Sequence, residues 1–348
     1  MVLYIILELG MSKTLAQRAS QNISDILRDI FLHDDTHTAL VIYDLDSPLS
    51  RILTKAYREA LPKGNFIHFH ETDTQLILST IEDLKAGDFV ALVQSTSFRL
   101  SAFRIRIELF KKSIKVAEHP HLGRMPLDKE VNTYVNALAY EKTYYHHMGH
   151  TLKEMINVAQ SAVVYSGSEQ LIYQDGFESA KINIGDYSQM KNMGGQFPIG
   201  EVFTESTVLT SLNGRTNIIA FGDTNYKVNI PPTPITIVIE NGHLVATENS
   251  TEEFEAVLDM IKAEEQVVWV RELGLGLNRA MSKSNYVSDM GTYERMCGLH
   301  LSLGAKHGIY AKEGMKRNSG KFHIDVMIDT DSLTLDDTVV FDGEKWVV

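Results

Sequence analysis

The chain has 348 residues, 44% of them hydrophobic and 22% charged, with a formal net charge of -12. That is globular composition at a length that allows two domains, and the acidic balance argues against a nucleic-acid or membrane partner, since either needs a concentrated basic face. The single cysteine, Cys297, excludes an internal disulfide framework and fits a reducing, cytoplasmic compartment.

The first ten residues, MVLYIILELG, are apolar but contain Glu8, lack a basic start and are too short to span a bilayer. They read as an upstream-start extension or an added edge segment. From Ser12 to Phe31, Leu15, Ile23, Ile26, Leu27 and Ile30 recur at helical spacing and predict an amphipathic helix. TALVIYDLD then reads as a buried strand, PLSRILTKAYREAL as a helix opened by Ser47-Pro48, and NFIHFHE as a second strand. DTQLILSTIEDLKAG reads as a helix ended by Gly87, DFVALVQ as a strand, FRLSAFRIRIELFKK as a helix, and IKVAEHPHL closes the series. Strands alternating with helices predict a doubly wound parallel sheet, a Rossmann-like α/β domain over residues 1–155. No glycine fingerprint follows the first strand, where Asp44 and Asp46 stand instead, so a dinucleotide is not expected. Arg99, Arg104 and Arg106 read as a solvated helix face with some anion contact.

YYHHMGH places His146, His147 and His150 near helical spacing. With no carboxylate or cysteine in the same tract, it reads as a surface or interdomain helix end, and TLKEMINVAQSA as a connector. Short strands with turns follow (SAVVYSG, QLIYQDG, AKINIGD, GGQFPIGEVF, NIIAFG, ITIVIENGHLVAT), broken by the helix EEFEAVLDMIKA before VVWVRELGLGLN. Residues 156–348 are therefore expected to form an α+β domain.

The chemistry concentrates near the end. GLHLSLG and KFHIDVMID read as two strands joined by a Gly-, Lys- and Asn-rich loop, with His300 on one and His323 and Asp325 at spacing two on the other. Two histidines and a carboxylate form a minimal set for a divalent ion. Glu201 in FPIGEVF and Glu272 in VVWVRELGLGLN sit among apolar residues, where a glutamate needs a partner. A metal cation is one choice; Arg271 or another basic group is the other.

GGQFPIGEVF, NGHLV, RELGLGLN, GLHLSLG and FHIDVMID occur in the order found in the aminopeptidase T (leucyl aminopeptidase) family of dimetal exopeptidases, which the chain resembles over most of its length. The resemblance implies that Glu201, Glu272, His300, His323 and Asp325 hold two divalent ions, zinc or cobalt, in a metal-dependent aminopeptidase that acts on peptides or amino-acid-derived substrates as a homodimer. It also marks departures. Where that family has a tyrosine seven residues after the first metal-binding histidine, this chain has His307, with Tyr310 three residues on; these two are the expected catalytic side chains. The family's acidic segment before that histidine is replaced by TYERMCGLH, which leaves Glu294 as an unaligned acid. The same superfamily includes ring-cleaving dihydroxypyridine dioxygenases, whose single iron is held by two histidines and an aspartate, a set that His300, His323 and Asp325 would supply. A degenerate member that binds metal or peptide without turnover is the third reading.

Overall fold

A computed structural model describes residues 13–100, 103–188, 190, 192–312, 315 and 320–348; the first ten residues and Ser12 lie outside them. The first sheet is parallel throughout and five-stranded among these residues, in the order Gly194–Gln196, Lys115–His119, Phe89–Val93, Ala39–Tyr43, Asn65–His68. Its central strands ALVIY and FVALV are buried at every position, as a sheet covered on both faces requires. The amphipathic N-terminal helix is present. Thr14 caps Leu15–Asp25 through a reciprocal bond with Gln17, and one turn of wider π-helix, Ile26–Ile30, continues it, with Ile23, Ile26, Leu27 and Ile30 all buried.

The helix expected over FRLSAFRIRIELFKK is shorter. Arg99–Leu100 pairs antiparallel with Phe103–Arg104, and only Ile105–Lys111 is helical. Phe98 and Leu100 are buried on either side of the exposed Arg99, a period of two, and Phe98 stacks on Phe69 at 4.1 Å. This packing outweighs the helical spacing of the apolar residues that follow. Arg99 is therefore on a hairpin, Arg106 pairs with Glu118, and the side chain of Arg104 lies outside the described set.

The second sheet is antiparallel in every pairing and holds thirteen strands among the described residues. Both strands expected around the C-terminal loop are there, Gly298–Leu303 beside Ile324–Ile328. The tract YYHHMGH lies in one 17-residue helix, Lys142–Val158, which runs on through the expected connector and buries Tyr145, Met148, Leu152 and Ile156 against this sheet. The two sheets share a boundary core. Residues under the first sheet, such as Phe89, Tyr134 and Leu122, cluster with Met281, Val287, Met290, Tyr293 and Met327 from the second half of the chain. The strand Gly194–Gln196, from beyond residue 155, adds itself to the edge of the first sheet. Among the described residues, no helix is long and apolar enough to cross a membrane.

Candidate metal centre

Four neighbouring antiparallel strands carry the site: Glu201–Glu205, Val270–Gly276, Gly298–Leu303 and Ile324–Ile328. Their registers set Glu205 opposite Glu272, Gly274 opposite His300 and Ser302 opposite Asp325. The pairing slips between Val270 and Leu273, a bulge at Arg271 and Glu272 of the kind that re-aims side chains beside functional sites. Gly274 makes room for the histidine. A Cβ there would lie 2.0 Å from Cε1 of His300 and 2.1 Å from its Nε2.

Around this register the five expected ligands converge. His300 Nε2 lies 3.4 Å from Glu272 Oε1 and 3.6 Å from Glu201 Oε1, and His323 Nε2 lies 3.1 Å from Asp325 Oδ1. Three groups result in which each residue offers a ligand atom within 4.8 Å of the others: Glu201, Glu272 and His300; Glu272, His323 and Asp325; and Glu294, His300 and Asp325. Glu272, His300 and Asp325 each belong to two groups, so the groups are joined. His300 and His323 share none of them. Glu294, which the sequence left unaligned, enters from the short helix Met290–Tyr293, for which Asp289 is the N-cap.

The electrostatics of this cluster are unbalanced. Glu201, Glu272 and Asp325 are buried and Glu294 half-buried, and the guanidinium among them is that of Arg295, 3.4 Å from Glu201 Oε2 and in contact with Glu294. Arg271 does not serve Glu272. It forks onto Glu205 at 2.7 and 2.9 Å, and Lys312 joins that pair at 3.2 Å. Burial pushes the Glu201 carboxyl up, with Arg295 and His300 opposing. Burial would raise Glu272 too, but hydrogen bonds from His300 and His307 hold it well below the usual carboxylate range. Burial pulls His323 down, yet Asp325 and then Glu272 overcome this and bring it to about 10; His300 is raised in the same way by Glu272, Glu201 and Asp325. Two buried atoms, His300 Nδ1 and Asp325 Oδ1, make no hydrogen bond, although His323 Nε2 lies 3.1 Å from the latter. Orphaned buried atoms amid an excess of carboxylate fit a cation, and a mixed set of imidazole and carboxylate ligands suits zinc and its neighbours.

The two expected catalytic residues differ in placement. His307 is buried with Nε2 2.9 Å from Glu272 Oε2, against the cluster. The Tyr310 ring lies tilted beside it at 5.1 Å, but its hydroxyl donates to the Ser179 carbonyl at 2.9 Å and approaches that of Phe203 at 3.4 Å, so it points at backbone. Cys297 is half-buried, its thiol pushed up to about 11 by burial, in keeping with packing rather than reactivity. A cavity of about 600 Å³ opens on the cluster. His323, Asp325 and Glu294 form one wall and Arg99, His121 and Arg124 the other, so the first sheet's loops face the second sheet's ligands. Sequence reasoning passed over Arg295, His121 and Arg124. Arg295 follows Glu294 directly in an otherwise apolar tract, a signal that was legible, whereas His121 and Arg124 gain meaning only from the packing of the two sheets.

A parallel α/β sheet followed by a large antiparallel sheet that bears a histidine and carboxylate cluster on its central strands gives this chain the aminopeptidase T fold. A solved structure similar to it is wild-type AmpT from Thermus thermophilus, over 96% of this chain and 100% of that one, with a TM-score of 0.60 and 14% identity. No protein-family model and no curated protein matches the sequence.

Proposed function

We propose that the chain is a metal-dependent aminopeptidase with two divalent ions, zinc or cobalt, at this cluster. One observation carries the reading: the ligand groups interlock through shared residues, so Glu272 can serve two positions at once. The four carboxylates less the charge of Arg295 leave about three negative charges, one more than a single divalent ion offsets. When bound, the ions would polarise the scissile carbonyl and acidify a water.

The chain's own groups do the rest. Glu201, Glu272 and His300 would hold one ion, and Glu272, His323 and Asp325 the other, with Glu294 at hand for His300 and Asp325. His307, whose Nε2–H donates to Glu272 Oε2 while its Nδ1 accepts from the Ile309 backbone N–H, would orient that carboxylate. Tyr310 anchors the same loop through the hydrogen bond from its hydroxyl to the Ser179 carbonyl. Arg99, exposed on the far wall and with no ion pair among the described residues, would meet the carboxylate of a short peptide.

Glu201→Gln tests the assignment, since it removes a charge and keeps the shape. Metal-stripped protein reloaded with zinc or cobalt should hold about two ions per chain at this cluster and hydrolyse amino-acid amides; the variant should hold one ion fewer than the parent and lose at least about a hundredfold in rate. One iron per chain, retained in the variant together with oxygen uptake on a dihydroxypyridine, would replace the peptidase with the dioxygenase. Loading without turnover of either substrate would leave a binding protein.

A further inference from the structure

Outside that cavity, the helix Lys142–Val158 presents His146 and His150 four residues apart, on one face and one turn from each other. Opposite them stands Asp186, from the turn after the strand Lys181–Asn183. His150 Nε2 is 3.1 Å from Asp186 Oδ2 and His146 Nδ1 is 4.0 Å from the same oxygen. The three ligand atoms lie within 4.8 Å of one another. On a tetrahedral ion with bonds of about 2.0–2.1 Å, neighbouring ligand atoms sit about 3.3 Å apart, which the 3.1 and 4.0 Å spacings to Asp186 bracket. The carboxylate whose absence from the local sequence made this tract read as a plain helix end is supplied by the fold.

The approach of that turn is built in. Gly149 lets it close on the helix, since a Cβ there would lie 2.7 Å from Ile184 Cγ2, and Gly185 turns the chain at a φ of 78°. Asp186 Oδ1 is held by the Ser188 backbone N–H at 3.1 Å and hydroxyl at 2.6 Å, which leaves Oδ2 to face the histidines. Tyr140 Oη lies 2.9 Å from His146 Nε2 and 3.2 Å from the Ile184 carbonyl. With its proton on that carbonyl it accepts from His146 Nε2–H, which leaves Nδ1, the nitrogen turned toward Asp186 Oδ2, free to ligate. A ligating histidine whose far ring nitrogen is already engaged is the usual arrangement at metal sites.

We infer that His146, His150 and Asp186 form a second site for a borderline divalent cation of the zinc type, separate from the interlocked cluster. Its remaining positions are open to water, because all three side chains are partly exposed. The ion would clip the helix to the turn that leads from the second sheet into Gly194–Gln196 of the first. This inference does not depend on the peptidase reading.

The test compares the stripped full-length protein with His146→Ala/His150→Ala and, as a control, His147→Ala, an exposed neighbour on another face. Each is titrated with zinc by equilibrium dialysis and with copper by electron paramagnetic resonance. The parent should bind one more zinc per chain than the double variant and show copper coupled to two imidazole nitrogens, a signal that the double variant loses and His147→Ala keeps. If the double variant does not fold, Asp186→Asn, which retains size, should lose the same ion. Equal stoichiometry in parent and folded variants, or the same loss in His147→Ala, would overturn the site.

Discussion

Gly274→Ala places the sharpest demand on the geometry. The added Cβ would lie 2.0, 2.1 and 2.7 Å from three atoms of the His300 ring, its three nearest neighbours. Ordinary contact begins at 3.4 Å, so the ring must withdraw by about 1.4 Å along a strand that is buried at every position. Overpacking of this kind costs about 1–3 kcal/mol. Because His300 is a member of two of the three ligand groups, a shift of about 1 Å should also cost on the order of a hundredfold in rate. The assay is a double-mutant cycle on metal-stripped protein, with unfolding followed in denaturant for the parent, Gly274→Ala, His300→Ala and the pair. Without the imidazole the methyl has room, so Gly274→Ala should cost little in the His300→Ala background, and the two changes should couple by about 1–3 kcal/mol. Equal destabilisation in both backgrounds would refute the clash and with it the placement of His300 over the glycine.

Two further expectations bear on the site and on the fold. His307→Ala frees Glu272 Oε2 from its 2.9 Å bond and should lower the rate on amino-acid amides about a hundredfold, while His307→Tyr should retain most of it; rates equal to the parent in both would make the ring a bystander. His119 is buried between the hydroxyls of Tyr57 at 2.8 Å and Tyr134 at 3.0 Å, and burial lowers it from 6.5 to about 3. The unfolded chain then binds the proton first, so this contribution is complete above pH 6.5 and is lost as pH falls toward 3, about 2 kcal/mol of it by about pH 5. Denaturation midpoints of the parent should therefore fall more steeply with acid than those of His119→Gln, and parallel curves would show that His119 does not stay neutral.

What the sequence determined by itself was whatever depends on neighbours along the chain. Short apolar runs gave the parallel strands around Val41 and Ala91 and the two strands that carry His300 and Asp325, and helical spacing after Ser47-Pro48 gave the helix there. Isolated acids in apolar tracts marked Glu201 and Glu272, because a buried carboxylate needs a partner wherever it falls. Which partner each acid takes was decided by packing. Arg271, adjacent to Glu272 in sequence, turns to Glu205, while Arg295 reaches Glu201 from 94 positions away. FRLSAFRIR took hairpin form at its start because Phe98 found Phe69 to stack on. Asp186 came to His146 and His150 only because Gly149 let the turn approach. Local propensity is written in short windows, but a charge or an imidazole is satisfied by whichever group the closed fold brings within about 3 Å, and that is a property of the tertiary structure alone.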